Sequence, residues 1–432
     1  MNLTAIFKIR IFRRLFLLLG AGLGLGAGVC TAATNGLTQG VYVWQRDWNE
    51  PVRTAVAAHA GQFQEVVALT AEVSWQQGQP KVVPVALDYA ALKAAGTPVG
   101  LALRIGPYPG LPTRPAATNG LAAGFMAGLA AGLVAEVAAH GLAVGELQLD
   151  FDCASSRLDG YRAWVEVIRR RVAPVPVVIT VLPDWLKQPA FGRLAAATDG
   201  YVLQVHSLTA PAGVAAPFTL CDPAAARRAV VLAGEFKVPF RVALPTYGYV
   251  LAFDRAGKLI GLSADGPARD WPADAQLREV RTDPSAMAGL VRLWATNHPA
   301  TLRGILWYRL PVATDGLNLR WPTVAAMMAG QPPQPHTQAV AVRTSSGLTE
   351  IHLVNDGELD LTGPVGVAVH WADARLVAGD GIGGFALAED GPVAARWQNP
   401  RPGFRLLAGE TQTIGWLRLS DDGEVQCEVV KN

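Results

Sequence analysis

The chain has 432 residues, half of them hydrophobic, with 17% charged residues and a formal net charge of +2. This length allows two domains or one large one, and the low charge content indicates a globular protein with an extensive core. The near-neutral charge gives no reason to expect a polyanionic partner. The short basic clusters at 169–171 and 227–228 fall where helices should end, so a nucleic-acid partner is not predicted.

Residues 1–33 have the pattern of a secretory signal peptide. A basic segment is followed by an apolar segment at 15–29 and by the small residues Thr31-Ala32-Ala33. The apolar segment is short and glycine-rich, so no stable membrane span is predicted after signal removal. We therefore predict export to the periplasm or the extracellular space. Two variants remain open, because Arg13-Arg14 resembles the core of a twin-arginine signal and Cys30 could carry a lipid anchor.

After the signal, strand patterns alternate with helical periodicity. The predicted strands lie at 40–44, 65–75, 99–105, 145–152, 176–181, 200–205, 239–244 and 304–308. The predicted helices lie at 51–62, 89–95, 121–140, 160–173, 191–197, 223–236 and 287–297. A further apolar stretch lies at 81–87, and one hairpin is predicted at 254–259.

Strands that are separated by helices pair in parallel through right-handed crossovers. Eight such units over residues 38–329 predict an α/β protein, a (β/α)8 TIM-like barrel. An open doubly wound sheet is the alternative. No glycine-rich phosphate loop follows the first strand, so the barrel is favoured.

The pattern changes beyond residue 329. Residues 330–337 are rich in proline and predict a stiff linker. Short strand patterns without a helical period then predict a small β-sandwich over residues 338–432, which we interpret as an accessory domain. Its predicted strands lie at 339–342, 349–354, 365–371, 394–398, 404–407, 412–419 and 425–429.

The fourth barrel strand carries an unusual pair of acids. Gln148, Asp150 and Asp152 alternate with Leu147, Leu149 and Phe151, so one row of side chains is apolar and the other is polar. An unpaired carboxylate is costly to bury, so two acids on one face indicate a polar pocket that carries out chemistry. The alternative is that both acids cap the next segment or pair with arginines.

The active site of such a barrel lies where the carboxyl ends of its strands meet. Other strand ends therefore bring candidate residues to the same mouth, and these are Asp47, Trp48, Tyr108, Asp184, Trp185, Gln204, His206, Tyr247, Tyr249, Trp307, Tyr308 and Arg309. Sugar rings pack their C–H faces on aromatic side chains, while their hydroxyls need carboxylates, amides and arginine. A polysaccharide or oligosaccharide is thus the predicted partner, and no cofactor is predicted.

Three motifs resemble those of chitinase-like glycoside hydrolases. Gln148-x-Asp150-x-Asp152 resembles their Asp-x-Asp-x-Glu strand, and Pro245-Thr246-Tyr247-Gly248 resembles the Pro-x-Tyr-Gly at the end of their seventh strand. Gly304-Ile305-Leu306-Trp307 resembles their last strand, whose tryptophan lies under the sugar. The three motifs occur in the order that this family requires.

Four motifs resemble an uncharacterised bacterial family more closely, known as domain of unknown function 3142. They are Leu149-Asp150-Phe151-Asp152, Leu182-Pro183-Asp184-Trp185, Leu203-Gln204-Val205-His206 and Gly415-Trp416-Leu417-Arg418-Leu419. This second resemblance covers nearly the whole chain after the signal.

The resemblance to chitinases has two departures. The position of the catalytic glutamate holds Asp152, which is one methylene shorter, and an aspartate of the motif is replaced by Gln148. We therefore predict a two-carboxylate mechanism with Asp152 as acid and Asp150 or Asp184 as base or nucleophile. Two neighbouring acids raise one pKa, which suits a proton donor. The predicted substrate-binding residues are Trp48, Tyr108, Gln148, Trp185, Gln204, His206, Tyr247, Trp307 and Arg309.

The sequence thus predicts an exported glycoside hydrolase-like barrel that acts on an envelope or extracellular polysaccharide. One alternative is a non-catalytic glycan-binding protein with a degenerate hydrolase site. A second alternative is a metal site built from Asp150, Asp152 and His206.

Overall fold

The computed structural model describes residues 36–108, 110–111, 120–207, 209–264 and 270–431. The predicted signal peptide at 1–33, with its twin-arginine and Cys30 variants, lies outside the described residues. Export is therefore still a prediction.

Within the described residues, eight parallel strands close into a barrel. They are β1 (Thr38–Val43), β2 (Glu65–Gln76), β4 (Val99–Ile105), β5 (Val144–Phe151), β6 (Val177–Val181), β7 (Gly200–Gln204), β8 (Phe240–Pro245) and β12 (Leu302–Tyr308). Neighbours in the chain are neighbours in the barrel, and β1 pairs with both β2 and β12, which closes the ring. The predicted (β/α)8 fold is confirmed.

Helices follow the strands around the barrel. Their bounds are α1 (Glu50–His59), α2 (Tyr89–Ala95), α3 (Gly120–Ala139), α4 (Leu158–Val172), α5 (Pro189–Ala196), α6 (Pro223–Ala233), α7 (Pro284–Thr296) and α8 (Trp321–Met328). Side-chain caps begin several of them, since Asn49, Asp88, Asp222 and Asp283 each accept a backbone N–H of the first turn. The sequence pattern missed α8, which is short and almost entirely apolar and so shows little periodicity.

Helix α3 is unusually apolar. Leu121–Ala139 is long and apolar enough to cross a membrane, with a mean hydropathy of 1.8 and 28% of that stretch buried in the structure. Met126, Ala127 and Ala130 on one side of this helix are buried in the barrel core.

The outward packing of the apolar side chains of β5 determines where its polar side chains point. Leu147, Leu149 and Phe151 are fully buried beneath the outer helices, and the ring of Phe151 stacks at 5.8 Å from that of Trp164 in α4. Because successive side chains of a strand point to opposite faces, this packing turns Gln148 and Asp150 toward the barrel interior.

The barrel carries two additional antiparallel elements. Strand β3 (Gln79–Pro84) pairs antiparallel with β2. Between β8 and α7, the strands β9 (Gly248–Phe253), β10 (Leu259–Ser263) and β11 (Gln276–Arg281) form an antiparallel sheet in the order β10-β9-β11, which we call the insertion sheet. The sequence predicted only one hairpin there. The third strand was missed because its residues are largely exposed and include three charged side chains, so it lacks apolar alternation.

The C-terminal region is a β-sandwich of antiparallel sheets, as predicted. Its strands are β13 (Gln338–Ser345), β14 (Leu348–Val354), β15 (Leu361–Thr362), β16 (Val365–Trp371), β17 (Leu376–Gly381), β18 (Ala386–Glu389), β19 (Ala394–Asn399), β20 (Arg405–Leu406), β21 (Thr411–Leu419) and β22 (Val425–Lys431). One sheet has the order β13-β14-β21-β17, the other has the order β18-β19-β16-β22, and β15 pairs with β20. Ile351, Leu353 and Ile414 of the first sheet share a core with Val367 and Trp397 of the second.

A chain of polar contacts joins the C-terminal region to the insertion sheet. Arg405 donates to Glu279 Oε1 at 3.3 Å and also pairs with Asp360. Glu279 accepts from Arg281, and Arg281 Nη2 donates to the carbonyl of Gly316 at 2.6 Å. The C-terminal region thereby contacts β11 directly and is connected through Arg281 to the loop after β12.

The close approach of β12 and β1 requires a glycine at position 304. A Cβ atom at Gly304 would overlap both the hydroxyl and the backbone carbonyl of Thr38. We expect Gly304→Ala to destabilise the protein by about 1–3 kcal/mol, because the backbone of β1 must shift to accommodate it.

The matched control is Gly289→Ala in α7, where an added Cβ meets no atom within 4 Å. Because alanine favours a helix, this control should be neutral or stabilise the protein by up to about 1 kcal/mol. Urea unfolding of both variants measures the difference. Equal effects would contradict the close approach of the strands.

Candidate active site

A cavity of about 1190 Å³ opens at the carboxyl ends of the barrel strands. Tyr42, Arg104, Asp150, Thr180 and Gln204 contribute to it from five different strands or their ends. Other residues on its wall include Trp44, Arg46, Asp47, Asp152, His206, Ser207, Tyr247, Tyr249, Val250, Ser263, Trp271, Leu277, Tyr308, Arg309 and Asp315. Both predicted carboxylates of β5 therefore share one cavity with several aromatic side chains.

Asp150 lies near the end of β5 and is half-buried in the cavity wall. Thr180 Oγ1 of the neighbouring strand β6 donates to Asp150 Oδ1 at 2.9 Å. Burial raises the pKa of Asp150 to about 6, with a further rise from the negative charge of Asp152, while Arg104 and the Thr180 hydrogen bond oppose that rise. Asp150 therefore holds a proton in a pH range where an ordinary aspartate is ionised.

Asp152 lies one residue beyond β5 and is exposed in the mouth of the cavity. The protein around the mouth still limits its hydration, and this burial raises the pKa of Asp152, against an opposing effect of Arg104. The two carboxylates thus differ in environment, with Asp150 deeper and hydrogen-bonded and Asp152 more open to solvent.

A row of alternating charges crosses three neighbouring strands. Glu72, Arg104 and Asp150 are partners in register on β2, β4 and β5. Arg104 Nε lies 3.8 Å from Glu72 Oε1, and Arg46 donates to both oxygens of Glu72 at 2.5 and 2.9 Å. The side chains of Arg46 and Arg104 are about half exposed, at 52% and 46%. This side of the mouth is therefore polar and positively charged near the acids.

Aromatic rings line another part of the mouth. Tyr42, Trp44 and Tyr308 contact one another edge to face, with ring centroids 5.3–5.6 Å apart. These contacts fix the rings and leave them on the cavity wall. Tyr42 and Trp44 are buried, and the partly exposed Tyr308 offers apolar surface for the C–H face of a sugar ring.

His206 lies in a hydroxyl network rather than beside the carboxylates. Its Nδ1 is 3.2 Å from Tyr247 Oη, which is 3.1 Å from Tyr249 Oη, and Tyr249 contacts Ser207 Oγ at 2.5 Å. Its ring stacks on Tyr308 at 5.6 Å. Burial lowers the pKa of His206 to about 3, so the imidazole is neutral near pH 7. His206 therefore orients the tyrosines without carrying a proton in the neutral range.

Arg309 is almost fully buried at the cavity wall. Its guanidinium pairs with Asp315 and donates to the carbonyl of Ala264 at 3.3 Å. Thr246 fixes its backbone, because the Thr246 hydroxyl accepts from Arg309 N at 2.7 Å and donates to Arg309 O at 2.5 Å. This arrangement connects the loop after β12 with the end of β8.

Several predicted site residues do not line the cavity. Asp184 follows β6 in a 3₁₀ turn, its side chain is 85% exposed, and it pairs with Lys187. Trp185 and Trp48 are buried in the barrel core. Tyr108 packs on the outer side of β4, at 4.3 Å from Trp75 and 5.2 Å from Trp164. The structure therefore removes these four residues from the predicted site, because each strand ends before it and the following turn carries it away.

Trp307 points away from the cavity. It is fully buried and donates its Nε1–H to Gln39 Oε1 at 2.8 Å. The next residue, Tyr308, takes the inward position at the mouth. A strand changes face at every residue, so the prediction of Trp307 was wrong by one position.

Gln148 faces inward but lies beneath the cavity. It is fully buried, accepts from Tyr42 Oη at 2.6 Å and donates to Glu146 Oε1 at 2.5 Å. Glu146 accepts two hydrogen bonds from Arg241 at 2.6 and 2.8 Å, and Arg241 also pairs with Glu65. The predicted substrate-binding role of Gln148 is thus replaced by a connection between the cavity and an ion triad at the base of the barrel.

Sequence reasoning missed Tyr42, Arg104, Thr180, Trp271 and Asp315. Arg104 carried the same signal as Asp150, since it is a charged residue near the end of an apolar strand. Tyr42 and Thr180 could have been found by extending the inward alternation of β1 and β6. Trp271 and Asp315 lie outside regular strands, where periodicity gives no signal.

The metal alternative receives no support from the geometry. Across the ranges that the structure describes, no three His, Cys, Asp or Glu side chains are grouped in a way that could hold a metal ion. His206 instead contacts Tyr247.

Two families of known proteins match parts of this chain. Residues 123–313 match the family described as Domain of unknown function (DUF3142). The DUF3142 match runs from α3 to the loop after β12 and includes both cavity carboxylates. The predicted resemblance to this family is confirmed over these residues. The prediction that it covers nearly the whole chain after the signal is not, since the motif Gly415-Trp416-Leu417-Arg418-Leu419 lies outside the match. Residues 338–420 match a second Domain of unknown function (DUF8456), which falls on the C-terminal sheets.

Solved structures that resemble the chain include chitinase-like barrels. A chitinase from Chromobacterium violaceum is 14% identical, with a TM-score of 0.47, and the match covers 68% of this chain and 98% of that one. The spore cortex-lytic enzyme SleL from Bacillus cereus is 12% identical, with a TM-score of 0.49 and coverage of 68% and 74%. The GH18 chitinase ChiB from Flavobacterium johnsoniae is 12% identical, with a TM-score of 0.44 and coverage of 68% and 93%. No curated protein matches the chain.

Proposed function

We propose that the protein is an exported glycoside hydrolase that cleaves an envelope or extracellular polysaccharide by carboxylate acid/base chemistry. The observation that carries this proposal is the pair Asp150 and Asp152, which line one cavity of about 1190 Å³ together with aromatic side chains. Glycosidases use two carboxyl groups, one that donates a proton and one that acts as base or nucleophile.

The environments of the two acids support an exchange of the roles predicted from sequence. Asp150 is the deeper acid, and its pKa of about 6 makes it the better proton donor to the glycosidic oxygen. Asp152 is exposed in the mouth, where it reaches a water or the sugar itself. In this scheme Asp150 donates a proton to the leaving-group oxygen, and Asp152 acts as base or nucleophile.

The cavity wall supports a polysaccharide substrate. Tyr308, which is held by Tyr42 and Trp44, offers an apolar face, and Gln204 and Arg104 offer polar groups for hydroxyls. Secretion is part of the proposal because of the signal pattern at 1–33.

The test is hydrolysis of a polysaccharide panel by the purified protein and by Asp152→Asn. We expect the substitution to lower turnover by about 10²–10⁴-fold, because the amide cannot act as base or nucleophile. Asp184→Asn makes the same chemical change outside the cavity and should retain full turnover. Unchanged turnover in Asp152→Asn, or a loss in Asp184→Asn, would contradict the assignment.

A non-catalytic glycan-binding protein is the second candidate. One observation in its favour is Asp152, which is one methylene shorter than the catalytic glutamate of the chitinase motif. Another is Tyr247, whose hydroxyl contacts His206 and Tyr249 of the protein itself. This candidate predicts binding of a glycan without cleavage, and equal affinity in the Asp152→Asn variant. The same panel therefore separates the two candidates.

A further inference from the structure

One face of the insertion sheet borders the cavity with a mixture of apolar and polar residues. Gly261, Ala252 and Leu277 are partners in register on its three strands, so they form one row across the sheet. Val250, Ser263 and Leu277 of this face line the cavity. Leu277 is 55% exposed. The core of the sheet lies on the opposite face, where Leu251 and Phe253 are buried.

Trp271 lies on the same face. A Cβ atom added to Gly261 would lie 2.7 and 2.9 Å from two carbons of the six-membered ring of Trp271. The indole therefore rests directly on the backbone of β10, where any larger residue than glycine would displace it. Trp271 is only half-buried and lines the cavity. Because Gly261 has no side chain, the ring of Trp271 packs against β10 and remains accessible from the cavity.

We propose that Trp271, seated on Gly261, is a stacking platform for a sugar ring of the bound polysaccharide, distinct from the ring that contacts Asp150 and Asp152. This inference rests on the proposed function for the identity of the ligand. The platform binds the apolar C–H face of the ring, and Leu277 extends the apolar contact on the same wall.

The size and continuity of the cavity support this occupant. Its volume of about 1190 Å³ exceeds the roughly 300–1,000 Å³ of sites for single small molecules. The insertion sheet and the carboxylates border this one cavity, so a chain of linked sugars can reach both. The wall with Arg46 and Arg104 can bind hydroxyl or acidic groups, whereas Trp271 and Leu277 offer apolar surface to a sugar ring.

The test measures binding as a function of ligand length. Soluble oligosaccharides of two, four and six rings from chitin, cellulose and alginate are titrated calorimetrically into the Asp152→Asn protein, which does not consume them. We expect affinity for at least one series to rise with length. Adding Trp271→Ala should remove that rise and weaken the longest ligand about tenfold, since tenfold corresponds to about 1.4 kcal/mol, which a stacked aromatic contact can contribute.

Two further variants separate the platform from a general loss of structure. Gly261→Val keeps the tryptophan but displaces its ring, and it should weaken the same long ligand by a similar factor. Trp271→Phe should restore part of the affinity. Trp416→Ala removes a half-buried tryptophan of the C-terminal sheets that does not line the cavity, so its affinity should be unchanged.

The outcomes distinguish this inference from the proposed hydrolase. Length-dependent binding that Trp271→Ala abolishes supports the platform, even where the wild-type protein cleaves nothing and the hydrolase proposal fails. Length-dependent binding that is unchanged in both Trp271→Ala and Gly261→Val overturns the platform. Absence of binding to all three series also overturns it, whatever the protein hydrolyses.

Discussion

Replacement of Arg241 by methionine is expected to destabilise the protein by about 3–5 kcal/mol. Arg241 pairs with Glu65 and donates two hydrogen bonds to Glu146, and the three side chains are only 13, 20 and 12% exposed. Removing one partner of a buried ion pair leaves uncompensated charge in a poorly hydrated site. Here two carboxylates lose their common cation, so the cost should lie in the upper part of the usual range for single substitutions.

The effect should also depend on pH. Burial and the charge of Glu146 raise the pKa of Glu65 to about 7, despite Arg241. A carboxyl group with a raised folded-state pKa contributes stability at low pH that is lost as the pH rises from about 4.5 to 7. Without Arg241 the carboxylates should be still harder to ionise, so Arg241→Met should be more destabilising at pH 8 than at pH 5.

Urea unfolding at both pH values measures this effect. Arg169→Met is the matched control, because Arg169 also pairs with an acid, Asp199, but its side chain is 47% exposed. Exposed pairs contribute about 0–1 kcal/mol, so the control should unfold almost like the wild type. Similar destabilisation in the two variants would show that the triad is not an important source of stability.

Replacement of Asp150 by asparagine is expected to reduce turnover by about 10²–10⁴-fold, because the amide cannot donate the proton that the leaving group needs. In the wild type, activity should fall as the pH rises above about 6, where Asp150 loses its proton. It should also fall in acid, where Asp152 becomes protonated. A rate that stays constant from pH 5 to 8 would exclude Asp150 as the acid.

Thr180→Val tests the same assignment without removing the carboxyl group. The Thr180 hydroxyl donates to Asp150 at 2.9 Å and favours its ionised form, so its removal should raise the pKa of Asp150 further. The alkaline limb of the pH–rate profile should then move to higher pH. A merely structural change would lower the rate at every pH without moving the limb.

Much of the barrel could be predicted because its local pattern and its tertiary role agree. The period of two in β5 identified both Asp150 and Asp152, and the apolar row of the same strand packs outward, as that period requires. The order of strands and helices then fixed which ends meet. These features depend on neighbours in sequence or on general rules of chirality.

The rest of the site depended on information that a single sequence carries weakly. Trp307 and Tyr308 differ in face only through the phase of one strand, and both are aromatic. Asp184 follows a strand that ends three residues earlier than it, so the turn decides its direction. Arg241 meets Glu146 and Glu65 across 95 and 176 residues of chain, and no local pattern reports such a pairing. Boundaries and long-range contacts therefore limited the prediction.

The contact of Arg405 with Glu279 gives the C-terminal sheets a role beyond mere attachment. Glu279 lies on β11, two residues from Leu277, and its partner Arg281 donates to the carbonyl of Gly316, which lines the cavity. The C-terminal sheets thus help to hold two segments that border the cleft. A substitution of Arg405 can consequently shift Leu277 and Gly316 while every side chain within the cleft stays the same.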